Sequence, residues 1–262
     1  ISEVIEKMLE KNKIFDAHFH FSDCLEFQTD IDEFSLCGCT SCHNEKDFLM
    51  AKEYRTKFPE NFFISFGIHP QKPEKKLLPI LENLLFENKI NAVGECGFDF
   101  FTKEYKATFE DQKNVFESQL ELAQKFNKSM VIHCRKANDV LFSYSKELKK
   151  LPAVLFHSFM GSLIEAESLL KRGINGYFSF GKQIFNNNKK VIQLVSELPL
   201  EKLLLETDAP FQTLKGEKFT DTKEIAKIYT EVFELRKESE KNFAGFCRQL
   251  ESNFYDVYSF LR

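Results

Sequence analysis

His18 and His20, in the stretch IFDAHFH (residues 14–20), stand one residue apart inside an otherwise apolar run. Side chains at i and i+2 of a strand share a face, so both imidazoles aim at one point. Two rings converging on one spot crowd each other unless a cation lies between them, and neutral imidazole is a common ligand for divalent metals. A buried polar pair is the other reading of these two residues alone. The same kind of polar residue recurs at the ends of other apolar runs: His69 in FFISFGIHP, Glu95 and Asp99 in NAVGECGFDF, His133 in SMVIHCR, His157 in AVLFHSF and Asp208 in KLLLETDAP. Five of the six histidines fall in such ends. A purely structural role scatters histidines over loops and helix surfaces instead.

The elements that must position these residues follow from periodicity. Eight short apolar or β-branched runs (the six just quoted, with FSLCGC and GYFSFG) alternate with longer stretches of helical period, among them FEDQKNVFESQLELAQKF and LIEAESLLKRG. Arg172 and Gly173 close the second of these in the usual manner of a helix end. Eight strands separated by helices predict parallel pairing with crossover helices. No glycine-rich nucleotide fingerprint follows the first strand, so the expected fold is α/β, a single (β/α)8 TIM-type barrel over residues 1–262. In such barrels catalytic groups gather at the carboxyl ends of the strands. Closure sets strand eight beside strand one, bringing Asp208 to the cation held by His18 and His20. Strands five and six are neighbours, so His133 and His157 form a second nest, and Glu95 can bridge the two. That is the pattern of a catalytic pair of metals, which clamps the attacking and leaving oxygens of a displacement.

The composition bounds what such a site serves. Hydrophobic residues are 43% and charged residues 29% of the 262, ordinary values for a chain with a packed core. A net charge of −4 excludes a protein that coats nucleic acid through a basic surface, but not an enzyme that engages phosphate through metals and a few local cations. No apolar run approaches the ~20 residues of a membrane span, and the amphipathic, acidic ISEVIEKMLEKN is unlike a secretion signal. Seven cysteines, an odd number spread through strand-like runs, fit a reducing compartment, so a cytoplasmic location is expected. A monomer without membrane contact is expected as well.

The motifs DAHFH, GIHP, GECGFD, DQKNVFESQLELA, VIHCRKA, FHSFMGS, GYFSFG and LLLETDAP occur in an order, from residue 14 to about 210, that resembles the TatD family of metal-dependent deoxyribonucleases within the amidohydrolase-type barrels. The resemblance implies that His18, His20, Glu95 and Asp208 hold one divalent ion and that Glu95, His133 and His157 hold the other. It places His69 by the substrate phosphate and gives Asp208 the proton of the attacking water. It implies a deoxyribonuclease, 3′-5′ exonuclease-like on single-stranded DNA, with Mg, Mn, Zn, Co or Fe as the metal. The chain departs after ETDAP, where the family commonly carries a basic Arg-Asn-Glu-Pro-like loop and this sequence reads FQTLKGEKFTDTKEIAK. The rim is therefore altered, and an ester or amide hydrolase of deacylase type on the same barrel is the alternative. A non-catalytic barrel is the third reading, and it predicts lost ligands where none is lost.

Other residues have competing roles. Arg135, two residues after His133, shares its expected inward face and suits a phosphate or a salt bridge. Asp99 orients a ligand, binds substrate or caps its loop, and His69 before Pro70 also suits a turn. The run CGCTSCH (residues 37–43) holds Cys39-x-x-Cys42-His43, the spacing of haem attachment, and Cys37, Cys39, Cys42 and His43 would supply the four ligands of a small zinc knuckle. The expectation is buried strand cysteines with an incidental histidine. KEIAKIYTEVFELRKESEKN reads as a helix with a solvated charged face.

Overall fold

The computed structural model describes residues 12–27, 37–237 and 242–258. Most of ISEVIEKMLEKN, the start of FSLCGC and residues 238–241 of KEIAKIYTEVFELRKESEKN lie outside the described residues. Eight strands form one sheet in sequence order: β1 Asp16–Phe19, β2 Gly38–Cys42, β3 Phe62–Phe66, β4 Ala92–Asp99, β5 Ser129–Arg135, β6 Val154–Phe156, β7 Gly176–Phe180 and β8 Leu203–Leu205. Every ladder from β1 to β8 is parallel. The main helices between and after them are α1 Phe21–Glu26, α2 Glu45–Lys57, α3 Leu78–Phe86, α4 Lys103–Ala107, α5 Phe109–Lys125, α6 Asn138–Ser143, α7 Ser145–Leu148, α8 Leu163–Lys171, α9 Lys189–Glu197, α10 Glu224–Leu235 and α11 Phe243–Val257. This is the TIM-type barrel that the alternation predicts, nearly closed. The seam between β8 and β1 is made just past β8, where His18 O accepts from Asp208 N–H at 2.9 Å and Ala209 O from His20 N–H at 2.7 Å. Asp16 reinforces it, its carboxylate accepting from the Thr207 N–H and hydroxyl.

Period-two alternation sorts the strand residues into two buried sets. Phe15, Ala17, Cys37, Cys39, Phe63, Ala92, Val131, Leu155, Tyr177 and Leu204 fill the barrel interior together with Phe254, Val257 and Tyr258 at the end of the chain's last described helix. The residues of opposite parity, such as Phe62, Phe66, Val93, Phe98, Ile132, Phe156 and Phe178, pack under the surrounding helices. Phe254 stacks on Phe15 with centroids 4.6 Å apart, and Tyr258 Oη donates to Ala17 O at 2.8 Å, so α11 plugs the amino-terminal end. The opposite end is left for the polar residues. Among the described residues, no helix is long and apolar enough to cross a membrane.

Two irregularities in the ladders set the site. Strict alternation from Ala17 would turn Phe19 inward, but the register slips between Asp16 and Phe19, and Phe19 packs under the helices. His18 and His20 take the inward direction, His20 still extended (φ −118°, ψ 90°) as the residue that precedes α1. On β4 the slip falls between Val93 and Cys96, so Ala92 and Glu95 both face inward although three positions apart. Such bulges re-aim side chains at functional sites. The glycines of GECG permit this one: Gly94 and Gly97 have φ of 142° and 138°, and a Cβ on Gly97 would stand 2.1 Å from the His133 carbonyl oxygen.

Candidate metal centre

Glu95 is the hub. It is 2% exposed, and its two carboxylate oxygens serve two separate groups of side chains. Around Oε2, the Nε2 atoms of His18 and His20 lie at 3.4 and 3.7 Å. Those two nitrogens are 3.3 Å from each other, and Asp208 Oδ1 lies 3.6 Å from His18 Nε2 and 3.3 Å from His20 Nε2. Four ligands held ~2.1 Å from one ion at tetrahedral angles stand ~3.4 Å apart. The five separations quoted run from 3.3 to 3.7 Å, the spacing of donors that share one cation, and His18, His20 and Glu95 together are placed to hold one. Nitrogen and carboxylate donors in this mixture suit a divalent transition metal or magnesium. The residues present therefore fit the cation that the sequence implies.

Around Oε1, His133 Nδ1 lies at 2.6 Å, His157 Nε2 at 2.8 Å and His69 Nε2 at 3.2 Å. The far nitrogens of the first two rings are tied to carboxylates: His133 Nε2–H donates to Asp99 Oδ2 at 3.0 Å, and His157 Nδ1–H to Glu206 Oε1 at 3.3 Å. Fixing the far nitrogen sets the ring's orientation and aims the other nitrogen at the centre. Burial opposes charge on these two rings, but the carboxylates outweigh it and raise both pKa values. Burial likewise opposes charge on Glu95, yet His69, His157 and His133 hold its carboxyl well below the usual range. Asp208 is lowered in the same way, chiefly by His20.

His69 is arranged differently. The Gln71 N–H donates to its Nδ1 at 3.2 Å, which leaves the proton on Nε2, directed at Glu95. Burial pushes its pKa down to about 4, so the ring is a neutral donor. That is the form in which it offers a hydrogen bond to an anionic oxygen. Asp99 is fully buried, and its carboxylate accepts from Gln71 Nε2 at 2.8 Å and from the Phe101 N–H at 2.8 Å. Burial would raise it, but the hydrogen bonds from His133, Gln71 and Phe101 prevail and bring it to about 2. Asp99 is thus an orienter of His133, not a group at the mouth. Arg135, expected to face inward, is exposed, and its guanidinium lies 3.9 Å from the centroid of the Phe101 ring. At the last position of β5 the alternation no longer dictates direction, and the aromatic face wins.

Four participants are missing from the sequence reading. Glu206 is fully buried and holds His157; its signal was its position two residues before Asp208 at the end of the same apolar run. Ser41 accepts from the Glu95 N–H at 3.1 Å, and Gln212 Nε2 donates to Asp208 Oδ2 at 3.1 Å. The fourth is His43. It follows β2, and its Nε2 lies 3.6 Å from Glu95 Oε2, so the histidine taken as incidental joins the cluster and all six converge. The cysteines of the same run do not: Cys37 and Cys39 face the barrel interior, whereas Cys42 packs under the helices. Side chains on opposite faces of a strand cannot share an ion, and burial pushes the Cys39 thiol up to about 12.

A family model described as TatD related DNase matches residues 15–259. The chain is 29% identical to the uncharacterized metal-dependent hydrolase YjjV of Escherichia coli, over 94% of this chain and 98% of that protein. It is 32% identical to a 3′-5′ ssDNA/RNA exonuclease TatD of Edwardsiella piscicida over 59% of this chain and 60% of that one. The crystal structure of YjjV superposes with a TM-score of 0.79 at 25% identity, over 94% of this chain and 98% of that one. A TatD family hydrolase from Entamoeba histolytica shares the fold, with a TM-score of 0.73 at 19% identity and 95% and 98% coverage.

Proposed function

The chain belongs to the TatD-related DNase family of metal-dependent hydrolases, and from that premise we propose that it hydrolyses phosphodiester bonds of single-stranded nucleic acid, DNA foremost, from the 3′ end. The observation that carries this reading is the double shell around Glu95, with His18, His20 and Asp208 at one oxygen and His133 and His157 at the other. In this reading His18, His20, Glu95 and Asp208 would hold one divalent ion, and Glu95, His133 and His157 a second. Such ions supply Lewis-acid polarisation of the phosphoryl group and acidify water. Asp208 then accepts the proton of the attacking water, and Gln212 steadies its second oxygen. His69, a neutral donor beside Glu95, binds a non-bridging phosphate oxygen.

One observation favours the ester or amide hydrolase instead. Lys182, 1% exposed just after β7, is paired to Glu217 of the altered loop after β8, so its charge is already spent inside the rim. The deciding experiment incubates purified protein with added Mg, Mn, Co or Zn against single- and double-stranded oligonucleotides and acyl esters. Metal-dependent shortening of single-stranded DNA from the 3′ end is the expected outcome. Ester cleavage with intact DNA and RNA overturns the nuclease reading.

A further inference from the structure

His43 enters the cluster with the tautomer opposite to that of His69. Its Nδ1 lies 3.1 Å from the Gly67 carbonyl oxygen. A carbonyl oxygen only accepts, so Nδ1 carries a proton there and Nε2 is the nitrogen turned to the cluster. That nitrogen stands 3.6 Å from Glu95 Oε2, within the 3.3–3.7 Å of the donor separations quoted above. The ring lies between those of His20 and His69, with centroids 5.5 and 5.4 Å away. Where His69 has its Nδ1 occupied as an acceptor, which suits its other nitrogen to an anion, His43 has its Nδ1 occupied as a donor, which suits its Nε2 to a cation.

The ring is also held firmly. Asn44 caps α2, accepting from the Asp47 N–H at 3.0 Å, and Asp47 Oδ2 accepts from the His43 N–H at 3.2 Å and from Asn44 Nδ2 at 2.8 Å. Ser41 links it to the hub, its hydroxyl 3.4 Å from His43 Nε2 while accepting from the Glu95 N–H. A ligand whose backbone and far nitrogen are both fixed loses little entropy on binding. We propose that His43 is a further cation ligand of this centre, acting through Nε2 on the Oε2 side of Glu95. A third imidazole at that position biases the site toward metals that favour nitrogen, such as Co, Zn or Fe, and away from Mg.

The alternative is that the ring merely ties β2 to the end of β3 through Gly67. Two variants separate these roles in chelator-stripped protein without any substrate, so the result stands apart from the nuclease reading. His43→Asn keeps an amide donor for Gly67 and removes the atom at Nε2. His43→Gln loses that donor but places an amide near Nε2. Calorimetric titration with Co²⁺ is expected to show His43→Asn about tenfold or more weaker than wild type, with a smaller change for Mg²⁺ and an unchanged metal-free melting temperature. His43→Gln should retain more Co²⁺ affinity than His43→Asn and melt lower. Wild-type Co²⁺ affinity in His43→Asn overturns the proposal. Should that variant not fold, wild-type protein loaded with ¹¹³Cd decides by ¹⁵N resonance: a one-bond coupling to His43 Nε2 is expected, and its absence overturns the assignment.

Discussion

At the scale of single residues, the chemistry of this centre is decided by what each imidazole does with its second nitrogen. His133 and His157 give theirs to Asp99 and Glu206 and His43 to a carbonyl, whereas His69 accepts there. Positions at strand ends made His18, His20, Glu95, His133, His157 and Asp208 legible in the sequence, because a polar side chain ending an apolar run has one place to go in a barrel. Hydrogen-bond direction was not legible, since it depends on carbonyls and amides brought from other strands. His43 was missed for a related reason: its run reads as a cysteine motif, and nothing local says that β2 ends one residue before it. Asp208 is the residue where turnover and folding should separate most clearly. It takes a left-handed φ of 54° three residues past β8, its Oδ1 at the His18 and His20 nitrogens. Asp208→Asn keeps the shape and loses the basicity, so kcat on a labelled oligonucleotide should fall by ~10²–10⁴ with saturating Mg or Mn. The melting temperature should stay close to wild type, and more than about half of wild-type turnover would rule out the proton-handling role.

Elements explain which residues could be placed from the sequence and which could not. Alternation of apolar runs with helical stretches located most strands, from SMVIHCR, which is β5 throughout, to KLLLETDAP, of which only Leu203–Leu205 pairs as β8, but FSLCGC shares only Gly38 and Cys39 with β2. What alternation cannot encode is a slipped register. The bulges in β1 and β4 move His18, His20 and Glu95 onto the inward face, and the glycines of GECG are their only trace in the sequence. Strand faces also settle the cysteine run. Because Cys39 and Cys42 point to opposite sides of β2, Cys39→Ser and Cys42→Ser should each leave metal content and activity nearly unchanged, at some expense of stability. Elemental analysis of the purified variants checks this, and loss of one metal equivalent in either would revive a thiolate site.

For the whole molecule, one end of the barrel holds the cluster and the other is closed by α11. Phe254, fully buried between Phe15, Phe63 and Tyr258, is the centre of that plug. Phe254→Ala should cost about 3–5 kcal/mol of unfolding free energy, read from the denaturant midpoint. Metal stoichiometry should be unaffected in the protein that remains folded, because the cavity opens at the far end. The seam has a further consequence, in time. β1 carries the first two ligands, yet its outer edge is satisfied only by residues 207–209, and its floor by Phe254 and Tyr258. A ribosome adding ~5–20 residues per second needs roughly 9–38 s to travel from His20 to Asp208. Throughout that interval the nascent chain presents an open strand edge, the feature that invites pairing with the wrong neighbour. His18 and His20 wait equally long for Asp208, so the two sides of the centre meet only after β2 to β8 have been made.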